Sequence, residues 1–438
     1  MIRYHGEEQL IKQAEHGFPK GVSKITEGVY FALGFGGSNA ILVEGQSSCL
    51  LIDTLNGCEV AQEALIEFQK ITTKPIKTII FTHFHHFDHT SGAGVFANDD
   101  CEIIARAPSY PQYGKSHLLK DIAGIRGARQ FGAGLTPEEV ISVGIGPRNN
   151  INSSKCVLQP TRLFSEEKLS LTIDGIPVLL VAAPGETDDQ LFVWLPAHGV
   201  LCCGDNYYHS FPNLYPIRGG QYRDINAWIG VLDNMLTYDI QYLLPGHSQA
   251  IIGHETIKHH LTTYREALNY VLEETLKGMN EGLTMDQLVE TVKLPAHLAH
   301  LPHLQEYYGT VAWSVRAIYT GYLGWFDGNP TKLGQLPIKT RAEKTLALMG
   351  GAPKVLQAAQ EAFQNQDEQW TVELCDILLD AQQLVSEAKL LKAQGLMNLG
   401  RLQTSANGRH YYIAYAKELM GENKLVVLNG AANDMTIR

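Results

Sequence analysis

Between residues 22 and 250 the chain is a succession of short β-rich runs, and this restricts its fold more than any other feature. "GVYFAL", "NAILVE", "CLLIDT", "TIIFTH", "CEIIAR", "IPVLLVAA", "QLFVWL", "GVLCCGD" and "QYLLPGH" each have strand length, branched or aromatic side chains and flanking turn residues. A helical period fits between two of them, in "CEVAQEALIEFQKI", so this half reads as α/β. "GFGGSN" at 34–39 has no Lys-Ser/Thr and no helix after it, so it reads as a hairpin turn rather than a phosphate loop. From about residue 254 apolar residues recur at three- and four-residue spacing, as in "ETIKHHLTTYREALNYVLEETLKGM" and "VELCDILLDAQQLVSEAKLLKAQGLMNLG". The stretch 354–400 hints at paired helices. A chain of 438 residues exceeds what one hydrophobic core usually serves. Two closely packed domains, 1–253 and 254–438, are therefore expected, with no low-complexity linker between them.

The densest chemistry lies in "FTHFHHFDHTSG", residues 81–92, where His83, His85, His86 and His89 surround Asp88. Imidazole and carboxylate are ligands for divalent metals, and such a cluster is hard to ascribe to chance. "TIIFTH" reads as a strand ending at His83; in an extended backbone His83 and His85 point the same way. Asp88 and His89 open what reads as a helix, able to face a second metal. Three further runs end in "AAPGETDDQ", "LCCGDNYYHS" and "YLLPGHSQA", which offer Glu186, Asp205 and His247 beside glycines. Together these supply His83, His85, Asp88, His89, Glu186, Asp205 and His247 as ligands for two divalent ions sharing a carboxylate.

Several partners are disfavoured by composition. With 35 Lys and Arg against 46 Asp and Glu, the net charge of −11 would repel nucleic acid. No apolar stretch reaches the roughly 18 residues of a membrane span, and the start lacks the apolar segment of a secretory signal. The seven cysteines show no CxxC spacing, and Cys202 and Cys203 lie in an apolar run. Buried thiols without a disulfide framework are expected, in a reducing compartment such as the cytoplasm.

The cluster "THxH" to "DH", then "PG" with a ligand, "GD" and "PGH", resembles the metallo-β-lactamase superfamily over about residues 20–250. The resemblance implies an αββα sandwich with two metals at one edge of its paired sheets, and Asp53 of "LLIDT" supporting a ligand from behind. Longer strings, "RQFGAGLTPEEVISVGIG", "PNLYPIRGGQYRDINAW" and "LQEYYGTVAWSVRAIYTGYLGWFDGNPTKLGQLP", are similar to the zinc-dependent alkyl sulfatases, in both catalytic and helical dimerisation domains. This implies zinc as the metal and a homodimer. It also implies Asp88 and Asp205 as catalytic carboxylates, and Asn213, Arg218 and Arg316 as residues binding an anionic ester. The aromatic stretch "YYGTVAWSVRAIYTGYLGWF" serves either the helical domain's own core or the dimer interface.

The sequence departs from these patterns at three places. Two residues, His86 and Phe87, separate His85 from Asp88, where the superfamily has one. Either His83 and His85 are ligands and a bulge absorbs the extra residue, or His86 is a ligand and Phe84 takes the place of the first His. The former keeps both imidazoles and is preferred. Asp205 stands where alkyl sulfatases usually carry Glu, and Trp313-Ser314 where many carry "HN", which removes a candidate proton donor. The family usually continues into a sterol-carrier-like domain, whereas this sequence stops at Arg438, so short or compact esters are expected to be turned over nearly as well as long ones. Hydrolysis of an alkyl sulfate to alcohol and inorganic sulfate is the leading expectation. The alternatives are hydrolysis of another ester, a thioester, a lactone or a phosphodiester, and a dimeric metal-binding scaffold without turnover.

Overall fold

The computed structural model describes residues 4–84, 86–107, 116–148, 153–220 and 222–422. Strands β1 (Gly21–Thr26), β2 (Val29–Leu33), β3 (Ala40–Glu44), β4 (Cys49–Ile52), β5 (Ile76–Ile80), β6 (Glu102–Arg106) and β7 (Arg162–Phe164) form one sheet in that order. A second sheet contains β8 (Lys168–Ile173), β9 (Ile176–Ala182), β10 (Leu191–Leu195), β11 (Val200–Gly204), β12 (Tyr242–Pro245) and β13 (Ile251–Ile252), ordered 13-12-11-10-9-8. "GFGGSN" joins the antiparallel pair β2 and β3, as a hairpin turn should.

The near-continuous apolar runs are explained by burial of both strand faces. In β3, Ile41 and Val43 meet Val178, Leu180, Val193 and Leu244 between the sheets. Their neighbours Ala40 and Leu42 face Ala61, Ala64 and Phe68 of the helix Cys58–Gln69. On the far side, Val181, Phe192 and Leu201 pack beneath Trp228, Leu261, Tyr264, Val315 and Ile318. These come from the helices Ile225–Met235, His254–Asn280 and Val311–Leu323. The result is the four-layer αββα sandwich, followed by helices. One apolar core runs unbroken through residues 253 and 254, so the long helix His254–Asn280 serves as an outer layer of the sandwich.

Beyond residue 337 the helices Ile338–Leu348, Ala352–Gln364, Glu368–Asp380, Val385–Leu402 and Ala406–Met420 follow one another. Leu346, Val355, Leu374, Cys375 and Leu378 form a separate core there. The expected helical stretch 372–400 is interrupted at Gln382 and Leu384, which adopt positive φ (58° and 47°) and turn the chain into a helix pair. This layer returns to the start of the chain, where Arg401 and Arg409 both pair with Glu7 at 2.9 and 2.7 Å. No helix among the described residues is long and apolar enough to cross a membrane.

The cysteine expectation requires correction. Cys58, at the start of the helix Cys58–Gln69, is disulfide-bonded to Cys156, with Cα atoms 6.0 Å apart. A pairing across 98 residues leaves no spacing signal in the sequence, because only the fold brings the two together. The five other cysteines are free and buried.

Candidate metal centre

Strands β4, β5 and β6 are parallel; in the other sheet β9 and β11 both run antiparallel to β10, and β12 runs parallel to β11. Side chains that follow their C-terminal ends therefore gather at the sandwich edge. Asp53 follows β4, His83 lies beyond β5, Glu186 beyond β9, Asp205 follows β11 and His247 lies beyond β12. Asn39 crosses between the sheets: its N–H donates to the Gly246 carbonyl at 2.8 Å, and its amide to Pro245 and Ser248 at 3.0 and 2.8 Å. Gly246 has no room for a side chain, since a Cβ would lie 2.6 Å from Asp205 Oδ1 and 2.8 Å from His89 Cε1.

Two groups of potential ligands converge at this edge. His83, His86, Glu186 and Asp205 form one, and Asp88, His89 and His247 the other; within each group the ligand atoms lie within 4.8 Å of one another. Asp205 sits between them, its oxygens 3.6 Å from His83 Nε2, 3.3 Å from His89 Nε2 and 3.4 Å from His247 Nε2. Asp88 lies 3.4 Å from His247 Nε2.

The donor set fits cations. His89 Nε2 and His247 Nε2 face each other at 3.3 Å, and His83 Nε2 faces His86 Nδ1 at 3.2 Å. Their opposite nitrogens are held elsewhere: His89 Nδ1 by Asp53 at 2.8 Å, His247 Nδ1 by the Gly37 carbonyl at 2.6 Å. Such anchoring fixes the tautomer and leaves each Nε2 lone pair directed inward. Asp205 Oδ1 is buried without a hydrogen-bond donor among the described residues.

Electrostatics point the same way. Burial pushes the Glu186 carboxyl up to about 8, with Arg223 opposing and Asp205 reinforcing the rise. Burial, then His83, Arg218 and Arg223, keeps His86 well below the ordinary imidazole value, so it is neutral and able to ligate. Burial works against a charged His89, but Asp205, Asp88 and Asp53 together raise its proton affinity well above normal. A crowd of carboxylates around imidazoles therefore holds positive charge strongly, and a divalent ion supplies it without protons.

Six of the seven sequence-derived ligands, His83, Asp88, His89, Glu186, Asp205 and His247, are brought together. His85 lies outside the described residues, and His86 occupies the cluster beside His83. Neither sequence register joins these two, and the reason is local. Strand β5 ends at Ile80 rather than His83, so the alternation of an extended chain does not apply to residues 81–86. Phe84 is buried against Phe81, with ring centroids 5.5 Å apart, and its N–H donates to Asp189 at 2.8 Å.

Around the centre, Arg223 donates to both Glu186 and the Asn213 carbonyl. Asn213 is 1% exposed, and both of its side-chain polar atoms lack partners among the described residues. Tyr208 accepts from Asn213 N at 2.8 Å, and its ring edge meets His247. Arg218 is half-buried over the Phe131 ring, and no hydrogen bond or ion pair engages its guanidinium among the described residues. Arg316, in contrast, forms an exposed ion pair with Asp286 at 2.8 Å and makes no hydrogen bond to the centre among the described residues. The sequence expectation has Arg316 bind the anion; here its guanidinium is engaged by Asp286. Sequence reasoning missed Arg223, Tyr208 and the Gly37 carbonyl; the glycine-rich turn was visible, but its carbonyl direction was not.

A two-sheet sandwich carrying paired His and carboxylate groups at one edge defines a metal-dependent hydrolase of the metallo-β-lactamase type. Family models match the chain accordingly: the metallo-beta-lactamase superfamily over residues 33–247 and alkyl sulfatase dimerisation over 284–422. A linear primary-alkylsulfatase of Pseudomonas sp. is 35% identical over 392 residues, or 87% of this chain and 74% of that protein. The alkyl/aryl-sulfatase BDS1 of Saccharomyces cerevisiae is 31% identical, over 94% of this chain and 65% of its own length. The solved structure of the stereoselective inverting sec-alkylsulfatase Pisa1 from Pseudomonas sp. superposes with a TM-score of 0.87 at 26% identity, covering 95% of this chain and 68% of that one. This chain belongs to the alkylsulfatase family of the metallo-beta-lactamase superfamily.

Proposed function

We propose that the chain hydrolyses alkyl sulfate esters to alcohol and inorganic sulfate, using two divalent metal ions held by His83, His86, Glu186 and Asp205 and by Asp88, His89, His247 and Asp205. The observation that carries this reading is the conjunction of the two ligand groups with Arg218, whose guanidinium has no hydrogen bond or ion pair among the described residues, and with an Asn213 amide that has no partner among them. When bound, two such ions act as Lewis acids and bring the pKa of water into the neutral range.

The protein's own groups do the rest. Asp53 and the Gly37 carbonyl orient His89 and His247, and Arg223 holds Glu186 and the Asn213 backbone. As the ester breaks, the sulfate group passes from one to two negative charges. Arg218 is placed to stabilise the leaving anion more than the bound ester, which is the condition for catalysis rather than mere binding. A neutral thioester or lactone would leave that half-buried charge unpaired, which argues against those two classes.

Zinc is the ion we assign, on the preference of His and carboxylate sets for it. A homodimer is assigned to the helical part. The aromatic stretch divides there: Tyr308, Val315 and Ile318 are buried, whereas Tyr322, Leu323 and Trp325 are 50%, 57% and 74% exposed. The function is tested by sulfate release from octyl sulfate beside thioester, lactone and phosphodiester substrates. Activity confined to one of the latter would refute it, and metal without any turnover would favour a scaffold.

A further inference from the structure

Among the described residues no hydrogen bond or ion pair holds the Arg218 guanidinium, but the loop that carries it is held. The helix Lys120–Phe131 holds this loop at three points: Arg126 Nη2 donates to the Ile217 carbonyl at 2.6 Å, Gln130 Oε1 accepts from Arg218 N at 2.9 Å, and the Phe131 ring lies 5.6 Å beneath the guanidinium. Gln130 is fully buried within this helix, and its Oε1 engages Arg218 N alone among the described residues. A third layer stands behind it. From the helix Ala406–Met420, His410 Nδ1 donates to the Gln130 carbonyl at 3.1 Å, and Glu418 grips Arg129 through two hydrogen bonds of 3.0 and 2.6 Å.

Resting on the reading above, we infer that Gln130 is a positioning residue that sets Arg218 for the sulfate group of the substrate, and that the helix Ala406–Met420 supports it from behind through His410. The physical reason is that an arginine binds an anion tightly only when its backbone is fixed before the ligand arrives. Gln130 offers an acceptor to the one backbone N–H whose displacement would swing the whole side chain. His410 is fully buried and burial pushes it down to about 4, so it is a neutral N–H donor at working pH. The layer of helices that the family models describe as a dimerisation region thereby reaches the catalytic edge through two hydrogen bonds.

The test compares wild type with Gln130→Met, which keeps the side-chain length and removes the acceptor, with Arg218→Ala, and with the double variant. Inorganic sulfate binding is measured by calorimetry and octyl sulfate turnover by sulfate release. Gln130→Met should raise the sulfate Kd about tenfold and lower kcat/KM by a similar factor, chiefly through kcat, because Arg218 acts on the developing dianion. In the Arg218→Ala background it should add nothing, because it acts through Arg218. His410→Phe should move the sulfate Kd and kcat/KM in the same directions by a smaller factor, and it carries the test if Gln130→Met does not fold. Equal sulfate Kd in wild type and single variants, additive losses in the double, or no sulfate binding by wild type would overturn the inference. Sulfate binding that responds as predicted, in a protein that hydrolyses no alkyl sulfate, would instead overturn only the proposed reaction.

Discussion

Replacing Asp53 by Asn should separate stability from metal binding. Its carboxylate is 2% exposed and accepts from Thr82 N at 2.8 Å, Thr82 Oγ1 at 2.7 Å and His89 Nδ1 at 2.8 Å. Asp53 sits at φ 55°, a conformation Asn also tolerates, so Asp53→Asn adds no backbone strain. The remaining amide oxygen can keep Thr82 N, and the Thr82 hydroxyl can rotate to accept. The new N–H2 then faces His89 Nδ1, which avoids a clash of donors if the imidazole moves its proton to Nε2. Stability should fall by only about 1 kcal/mol, the net worth of one ordinary hydrogen bond. The nitrogen meant for the metal would then carry a proton, and affinity should drop about 10- to 100-fold. Asp53→Ala, by contrast, leaves the Thr82 and His89 donors unpaired, at about 1–3 kcal/mol each. Calorimetric melting of the metal-free proteins and chelator competition for the loaded ones measure the two effects. Wild-type metal affinity in Asp53→Asn would refute the tautomer argument, as would a stability loss equal to that of the alanine variant.

Four other outcomes are expected. His86→Ala should lose about one of two metals per chain, while His85→Ala retains most of both; the opposite ranking by elemental analysis would restore the register favoured from sequence. Arg218→Ala should lower kcat/KM for alkyl sulfates by about 10²- to 10³-fold, the scale for losing one donor to a developing anion, and an unchanged value would remove it from the site. Burial pushes His209 and His260 down to about 4 and His303 to about 3, with neighbouring imidazoles reinforcing each shift. Because these rings fold neutral, their stability contribution is full above the unfolded value near 6.5 and is lost as pH falls toward 4. The melting temperature of His260→Gln should therefore fall less steeply with acid than that of wild type; parallel curves would exclude this linkage. Light scattering should give twice 48.4 kDa, and charges at Trp325 and Leu348, 74% and 90% exposed, should shift the mass toward one chain. A monomer before mutation would contradict the assigned dimer.

Much of this architecture could be read before any coordinates. Runs such as "LLI" and "IIF" are apolar at consecutive positions because one face meets the second sheet and the other a helix, and that doubly buried pattern marks a sandwich interior. Ligand-type residues beside glycines at strand ends were legible for the same reason: Gly246 and Gly204 let the backbone approach where a Cβ could not. What escaped depends on where the chain bends. The register at residues 81–89 follows from Phe84 turning into the apolar layer, which places His86 beside His83. The Cys58–Cys156 pair and the Arg316–Asp286 ion pair are set by tertiary neighbours with no local signal. Gln130 looked like an ordinary helix residue, since its partner Arg218 lies 88 positions away.

The central claim, metal-dependent hydrolysis of an alkyl sulfate at the His and carboxylate edge, is tested most directly by following inorganic sulfate released from octyl sulfate as metal is removed and restored. The account predicts about two zinc ions per chain in the purified protein, sulfate release that disappears on dialysis against a chelator, and its return when two equivalents are added back. Sulfate release undiminished in the metal-free protein, or a fully loaded protein that cleaves lactones or thioesters and no sulfate ester, would contradict it.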